Sequence, residues 1–568
     1  MAEYLSPGVY VEEYDNSPRS IEGVGTSTAG FIGLAEKGPL TGAPLLVTSM
    51  RSFRQQFGGF LSEFGYGEYR FLANSVEQFF DNGGTRCFVM RVAPADAKTA
   101  EAKKGILTVQ ATSPGTWGNK VQIILATNKK RKLQLVEKTA TGYKAKTLDG
   151  FREGDLVVFE KTYTRIKTIV DNEVTFESEL PKNAVDADIV PKSLLYLVTM
   201  DMSIRYGDDV ENYAELSFNT ASPRYIGSKL AGSDLIKVEV TQPKAPGNPV
   251  SEILGKDITD GVFFLEGGTD GSVAKINAAT YIGEDNGPGK RTGLAAFEEN
   301  SLISMLAIPG ITMPEVVVAL VAHCERLRSR FAVLDMPKEM YKTADLIGYR
   351  QIVDSTYCAM YHPWIQVFDR SSNKSDYIPP SGAVMGVYSR TDIARGVHKA
   401  PANEVIFCTG LSVNYTKDEQ DILNPEGINL IRNLPGQGIR IWGARTASSN
   451  SAFKYVNVRR LFIYVEESIK ANTNWVVFEP NDPALWQRVH QTIANFLDGL
   501  FRNGMLAGGS ASESYFVEIG TSTMTRDDIM NGRLICNVGI APSRPAEFVI
   551  FRVTQHTSEA GGGEEASE

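Results

Sequence analysis

At 568 residues, with 42% hydrophobic and 22% charged residues, the chain exceeds what one core serves. It should divide into about three to four domains of ~150 residues, and its composition excludes a largely disordered or fibrous protein. A net charge of −9 and a pI near 5.4 leave no overall electrostatic footprint for nucleic acid.

The start MAEYLSPG has no basic region followed by an apolar core, and no apolar run approaches the ~18 residues of a membrane-spanning helix. The expectation is a soluble chain without a signal peptide and with no membrane insertion. Five cysteines, Cys87, Cys324, Cys358, Cys408 and Cys536, are odd in number and far apart. They read as reduced thiols, and with no CxxC and five histidines no metal site is expected.

In chain order, SPGVYVEEYDNSP (6 to 18) alternates with period 2, as an extended strand does, but IEGVGTSTAG follows it instead of a tight turn and a second run. Its partner must be distant in the chain or belong to another chain. GVGTSTAGFIG (23 to 33) lacks the GxGxxG spacing of a phosphate cradle and has no helix opening behind it, so it reads as a flexible connector. In SVEQFFDNGGTRCFVMRV (75 to 92), Val76, Phe79 and Phe80 share a helical face, Gly83 and Gly84 end the helix, and a buried strand follows.

Residues 106 to 265 change character. Short alternating runs such as KVQIILAT, DLVVFEK and LIKVEVTQ mark a β-rich insertion. Within it, 129 to 193 opens on KKRK and has turn punctuation of its own, which suits a small nested barrel.

From 303 the pattern alternates again. ISMLAIPG, FAVLDMP and a long strand YCAMYHPWIQVFD are separated by helices from Pro314 and over 343 to 354, which implies crossover units and a mostly parallel sheet. Further on, 451 to 471 is an amphipathic helix. The stretch 482 to 504 is a stronger one, with Asp482 as N-cap, Pro483 at the first position and Gly504 past the end. The strands SYFVEIG, RLICNVGI and AEFVIFRVTQ follow, and the acidic tail SEAGGGEEASE has nothing to bury.

Catalytic chemistry finds little support. GxSxG, HExxH and GxxxxGK[ST] are absent, and His323 and Cys324, adjacent on a helix, point about 100° apart. GGTDGS (267 to 272) is too short for a calcium loop and reads as a tight turn. Lys454, Arg459, Arg460 and Lys470 form either a solvated helix face or a basic strip for an acidic partner. No catalytic residues and no cofactors are expected.

Several longer stretches together resemble the contractile tail sheath proteins of bacteriophage tails and related bacterial contractile injection systems. SPGVYVEE, TSTAGFIGLAEKGP, FFDNGGTRCFVMRV, SPGTWGN, IPPSGAVMGVYSRTD with RGVHKAPAN, IWGARTAS and MTRDDIMNGRLICNVGIAPSRPAEFVIF stand in the family's order, at both ends and across 300 to 550. The resemblance implies a structural protein, made in the bacterial cytoplasm and resident in a virion tail or injection particle. Its copies would stack as six-fold rings around an inner tube and contract from a metastable extended state to drive the tube through a cell envelope. Partners would be further copies, the tube protein, and baseplate and terminator proteins, with no direct nucleic acid.

The implied fold is α/β and α+β multidomain: a conserved mixed core split in sequence, a β-rich insert and extended terminal strand arms. The parts would be an N-terminal arm (1 to 20), an α/β middle domain (21 to 105 with 266 to 400), the insert (106 to 265), an inner, tube-facing domain (401 to 547) and a C-terminal arm with its tail (548 to 568). By position, the arm strands that would join neighbouring subunits are Gly8, Val9, Tyr10, Val11, Glu12, Glu13 and Tyr14, and Phe548, Val549, Ile550, Phe551, Arg552, Val553, Thr554 and Gln555.

Tube contact is expected on the 482 to 504 helix through Arg488, Gln491, Asn495 and Arg502, with the 451 to 471 helix as second choice. Another self-assembling tail or baseplate component is the alternative function. A third, an α/β enzyme, would need a pocket near Pro309, Asp335 or Pro337.

Overall fold

A computed structural model describes residues 20–181, 194–242, 245–369 and 372–550. Its centre is a nine-stranded sheet in the order Leu45–Val47, Cys87–Val92, Ala29–Leu34, Met305–Ala307, Phe331–Asp335, Cys358–His362, Ile428–Leu434, Gly438–Ile441, Glu404–Val405. The six strands from Cys87–Val92 to Ile428–Leu434 are parallel, and antiparallel strands close both edges. Helices cover the two faces and give two apolar cores. One forms around Phe31, Phe79, Trp364 and Tyr388, the other around Leu306, Leu320, Leu334 and Met360.

The supposed connector at 23 to 33 is half strand: Ala29–Leu34 is buried at every position in the middle of this sheet. Gly30 and Gly33 are required by crowding, since a Cβ would lie 2.6 Å from the Leu306 side chain at the first and 2.9 Å from that of Leu72 at the second. Glycine here marks close packing rather than freedom.

The long strand expected over 357 to 369 is two. Cys358–His362 joins the main sheet, while Ile365–Asp369 pairs with Lys374–Ile378 and Gly410–Leu411 in a separate three-stranded sheet. Pro363 lies between them and has no N–H to continue a ladder. The sheet also runs past residue 400, the edge read from sequence, because Glu404–Val405, Ile428–Leu434 and Gly438–Ile441 complete it.

The β-rich insert has its own core around Trp117, Ile123 and Met202, built from a four-stranded and a three-stranded sheet. That core begins at Ala100, ahead of residue 106, because Glu101–Lys104 pairs with Leu107–Ala111. A closed six-stranded barrel is set into it over Lys132–Lys138 to Leu194–Leu197, with Leu133, Leu135, Val157 and Leu195 inside. Its end lies beyond 193 because Leu194–Leu197 pairs with two barrel strands and closes the ring.

The insert docks on the loop after Ala29–Leu34. Arg91 donates to the carbonyls of Ala35, Gly38 and Pro114 at 2.8 to 3.1 Å, and Tyr206 OH donates to Glu36 at 2.8 Å. Burial brings the Arg91 guanidinium down to about 10, against the pull of Asp270, Tyr66 and Glu36.

The C-terminal unit packs the helices Val456–Asn472 and Pro483–Arg502 against a two-stranded sheet, Tyr515–Ile519 with Cys536–Ile540. Asp482 caps the second helix, its side chain accepting from Leu485 N–H at 2.8 Å, with Pro483 in the first turn.

Candidate functional site

Arg460 is the joint between this unit and the main body. It pairs with Asp392 through two hydrogen bonds of 2.9 and 2.6 Å, both side chains 3% exposed, and donates to the Thr26 carbonyl at 2.9 Å. Arg459 stacks over Phe453 and Tyr357, 3.6 and 4.4 Å from the ring centres. Neither sequence reading of this pair holds: both arginines are buried, Arg460 paired with Asp392 and Arg459 enclosed by the Phe453 and Tyr357 rings.

The Val456–Asn472 helix also roots both ends of the chain. At its C-terminal end Asn472 Nδ2 donates to the Glu22 carbonyl at 2.9 Å, and Ser468 Oγ accepts from Val24 N–H at 3.1 Å. Ile21 is buried in the same core, and at Gly23 a Cβ would lie 1.9 Å from Tyr464 OH. At its N-terminal end Tyr455 OH donates to Glu547 at 2.8 Å.

Glu547 is held on several sides. Arg445 grips it with two bonds of 2.7 and 2.8 Å, Asn424 donates at 2.8 Å, and Lys454 stands 3.6 Å away. Burial works against its charge, yet the bonds from Arg445, Asn424 and Tyr455 hold the carboxyl down at about 2. Immediately beyond it Phe548, Val549 and Ile550 are 72%, 66% and 79% exposed and form no strand within the subunit. Glu22 and Glu547 are therefore tied to opposite ends of one helix of 17 residues, about 25 Å long.

The expected arm residues Gly8 to Tyr14 and Phe551 to Gln555 lie outside the described residues. The two-stranded sheet near these roots has no third strand among the described residues, so both its edges offer unpaired backbone groups. Its inner side chains, Tyr515, Val517, Cys536 and Val538, pack on the helical core. On the outer face the Phe516 ring lies over its cross-strand partner Gly539, where a Cβ would approach it to 2.1 Å.

Arg488, Gln491, Asn495 and Arg502 are all exposed on one face of Pro483–Arg502, opposite Leu485, Val489, Ile493, Leu497 and Leu500. Arg488 pairs with Glu479 at 3.3 Å and Arg502 with Asp498 at 2.7 Å, both in solvent. The second-choice helix is buried all round from Val456 to Leu461, so its first two turns present no such face.

The strand ends near Pro309, Asp335 and Pro337 offer no open carboxylate. Asp335 is buried and accepts from Gly310 N–H, Ser381 N–H and Ser381 Oγ at 2.7 to 3.0 Å, capping the Ser381–Arg395 helix. Burial raises it to about 6 against those bonds. His323 and Cys324 are buried in helix packing. Among the described residues there is no group of His, Cys, Asp or Glu fit to hold a metal ion, and no helix long and apolar enough to cross a membrane.

Comparison with known proteins adds lineage to this geometry. Residues 274–447 match the phage tail sheath protein central domain, and 448–556 the phage tail sheath C-terminal domain. A putative prophage major tail sheath protein of Pseudomonas aeruginosa is 27% identical over 292 residues, 49% of this chain and 73% of that protein. The tail sheath protein of Salmonella phage ViI is 25% identical over 257 residues, 40% of this chain, and the match spans only 39% of its length.

In fold, the chain is similar to the sheath of an extracellular contractile injection system in its contracted state, at 21% identity and a TM-score of 0.53. That alignment covers 98% of this chain and 99% of the other, so it includes the β-rich insert. A sheath tail protein from Listeria innocua aligns over 92% of this chain and 96% of its own, with a TM-score of 0.52 and 12% identity.

Proposed function

Because the chain belongs to the phage tail sheath family, we propose that it is the repeating subunit of a contractile sheath. Copies stack as six-fold rings around an inner tube and shorten from a metastable extended state to drive the tube through a cell envelope. The partners are further copies, the tube protein, and the baseplate and terminator proteins at the two ends. The work comes from changed contacts between subunits, a small two-state difference multiplied over many copies.

The observation that carries this reading is the pairing of open-edged sheet and rooted ends. A subunit that must stay linked while it moves needs directional bonds that tolerate reorientation. Main-chain ladders formed by strand addition supply them. We assign the acceptor as the Tyr515–Ile519 and Cys536–Ile540 sheet, whose free edges can take one arm from each of two neighbours. The donors are the arms Gly8 to Tyr14 and Phe548 to Gln555, leaving from roots fixed at Glu22 and Glu547.

The exposed row Arg488, Gln491, Asn495 and Arg502 is the proposed tube contact. Removing residues 1 to 15 should leave a folded subunit that no longer copolymerises, read by sedimentation and negative-stain imaging. Reversing Arg488 and Arg502 to glutamate should instead preserve subunit association and abolish assembly on tubes. Polymers that form normally without the arm would refute the linkage, and normal loading of tubes by the double variant would refute the tube face.

A further inference from the structure

The turn from Val476 to Glu479, just ahead of the Pro483–Arg502 helix, carries an unexpected residue. Glu479 N–H donates to the Val476 carbonyl at 3.2 Å, Val477 adopts φ −68° and ψ 129°, and Phe478 has φ +68°. The closing hydrogen bond, the Val477 angles and the positive φ at Phe478 fit a type II turn, whose third position calls for glycine or asparagine because φ is positive there. A bulky aromatic in that position is strained. Among the described residues nothing compensates, since the Phe478 ring is fully exposed and Val477 beside it is 62% exposed.

The turn is also held still. Val476 N–H donates to the Thr473 carbonyl at 3.0 Å, Asn481 Nδ2 to the Arg533 carbonyl at 3.0 Å, and Trp486 Nε1 to Asn481 Oδ1 at 2.6 Å. Its last residue, Glu479, accepts from Arg488 at 3.3 Å, and the Arg488 guanidinium lies 5.6 Å from the centre of the Trp475 ring. The exposed aromatic tip is thus continuous with the first residue of the Arg488, Gln491, Asn495 and Arg502 row.

We propose that Phe478, flanked by Val477, is the apolar anchor by which each subunit docks on the inner tube protein, entering an apolar pocket whose rim carries acid groups for Arg488. The inference rests on the reading that this helix face meets the tube. A rigid aromatic presented beside charged residues is how an interface concentrates binding energy in a small area. Pre-setting the ring on a fixed turn lowers the ordering cost when it binds. The alternative occupant, a second copy of this chain, is separated from the tube by the test.

Phe478→Gly and Phe478→Asn both suit the observed φ, so neither should weaken the fold. Three quantities are measured on the full-length chain: the unfolding midpoint, self-assembly without tubes, and cosedimentation with tubes stripped of sheath. The expected result is a midpoint that holds or rises, unchanged self-assembly, and tube affinity reduced at least about tenfold.

Undiminished tube binding overturns the proposal. Loss of self-assembly as well assigns the ring to contacts between copies and overturns it too, and a lowered midpoint makes it a structural residue. The Arg488→Glu, Arg502→Glu double variant run in parallel separates the two readings. If it loses tube binding while the Phe478 variants keep it, the helix face stands and the anchor falls. If it keeps tube binding while they lose it, the anchor stands and the charged row falls.

Discussion

Glu547 shows how one carboxylate fixes the place from which a chain end departs. Its partners come from three segments, Asn424, Arg445 and Tyr455, and together they favour its ionised form. With the folded carboxyl at about 2 and the ordinary value at 4.5, the sign follows from linkage. The stabilisation is fully present above about pH 4.5 and is lost as pH falls toward 2. Glu547→Gln should therefore loosen the root at pH 7, by about 1–2 kcal/mol once solvent screening of this partly exposed group is allowed for. Hydrogen exchange over residues 541 to 550 would measure it. The gap between variant and wild type should hold from pH 7 to about 4.5 and close below that; a gap constant down to pH 2 would show that charge is not its source.

At the scale of elements, the main body depends on two helices that approach closely, Leu72–Asp81 and Ser381–Arg395. Gly382 and Gly386 lie one helical turn apart on the contact face, where a Cβ would come within 2.2 Å of the Ser75 carbonyl oxygen and 2.5 Å of that of Phe79. Backbone atoms cannot give way as a flexible side chain can, so Gly386→Ala should cost about 1–3 kcal/mol by forcing the helices apart. Gly499, inside Pro483–Arg502, has nothing within 4 Å of its would-be Cβ. There alanine should be neutral or stabilising, by up to about 1 kcal/mol. Thermal unfolding of the two variants should move in opposite directions, and equal losses would mean that the glycines do not act through packing.

For the whole molecule, the insert is arranged so that its barrel can be separated from the rest. Asn128 and Thr199, which flank it, are paired directly across neighbouring antiparallel strands. Replacing 129 to 198 with Asn-Gly would turn that junction into a two-residue hairpin, for which this dipeptide supplies the required turn. The shortened chain should fold with the Trp117 core intact and should still give extended and contracted sheaths under the electron microscope. Failure to assemble would show that the barrel takes part in ring contacts.

Local pattern alone determined much of this protein. The alternation of strands and helices from 303, the β-rich insert, the capped Pro483–Arg502 helix and the ordered family segments are all short-range features, because periodicity, capping and turn chemistry act over a few residues. The exposed row Arg488, Gln491, Asn495 and Arg502 was legible for the same reason, since helical spacing assigns a face. What covers a residue is decided by partners remote in sequence. Ala29–Leu34 resembled a connector until neighbouring strands and Leu72 accounted for its glycines, and Arg459 and Arg460 resembled a surface strip until Tyr357 and Asp392 covered them. The common helix rooting both chain ends, the open-edged sheet and the strained turn at Phe478 likewise follow from tertiary structure alone, because each depends on how distant segments meet or on backbone angles that residue type does not announce.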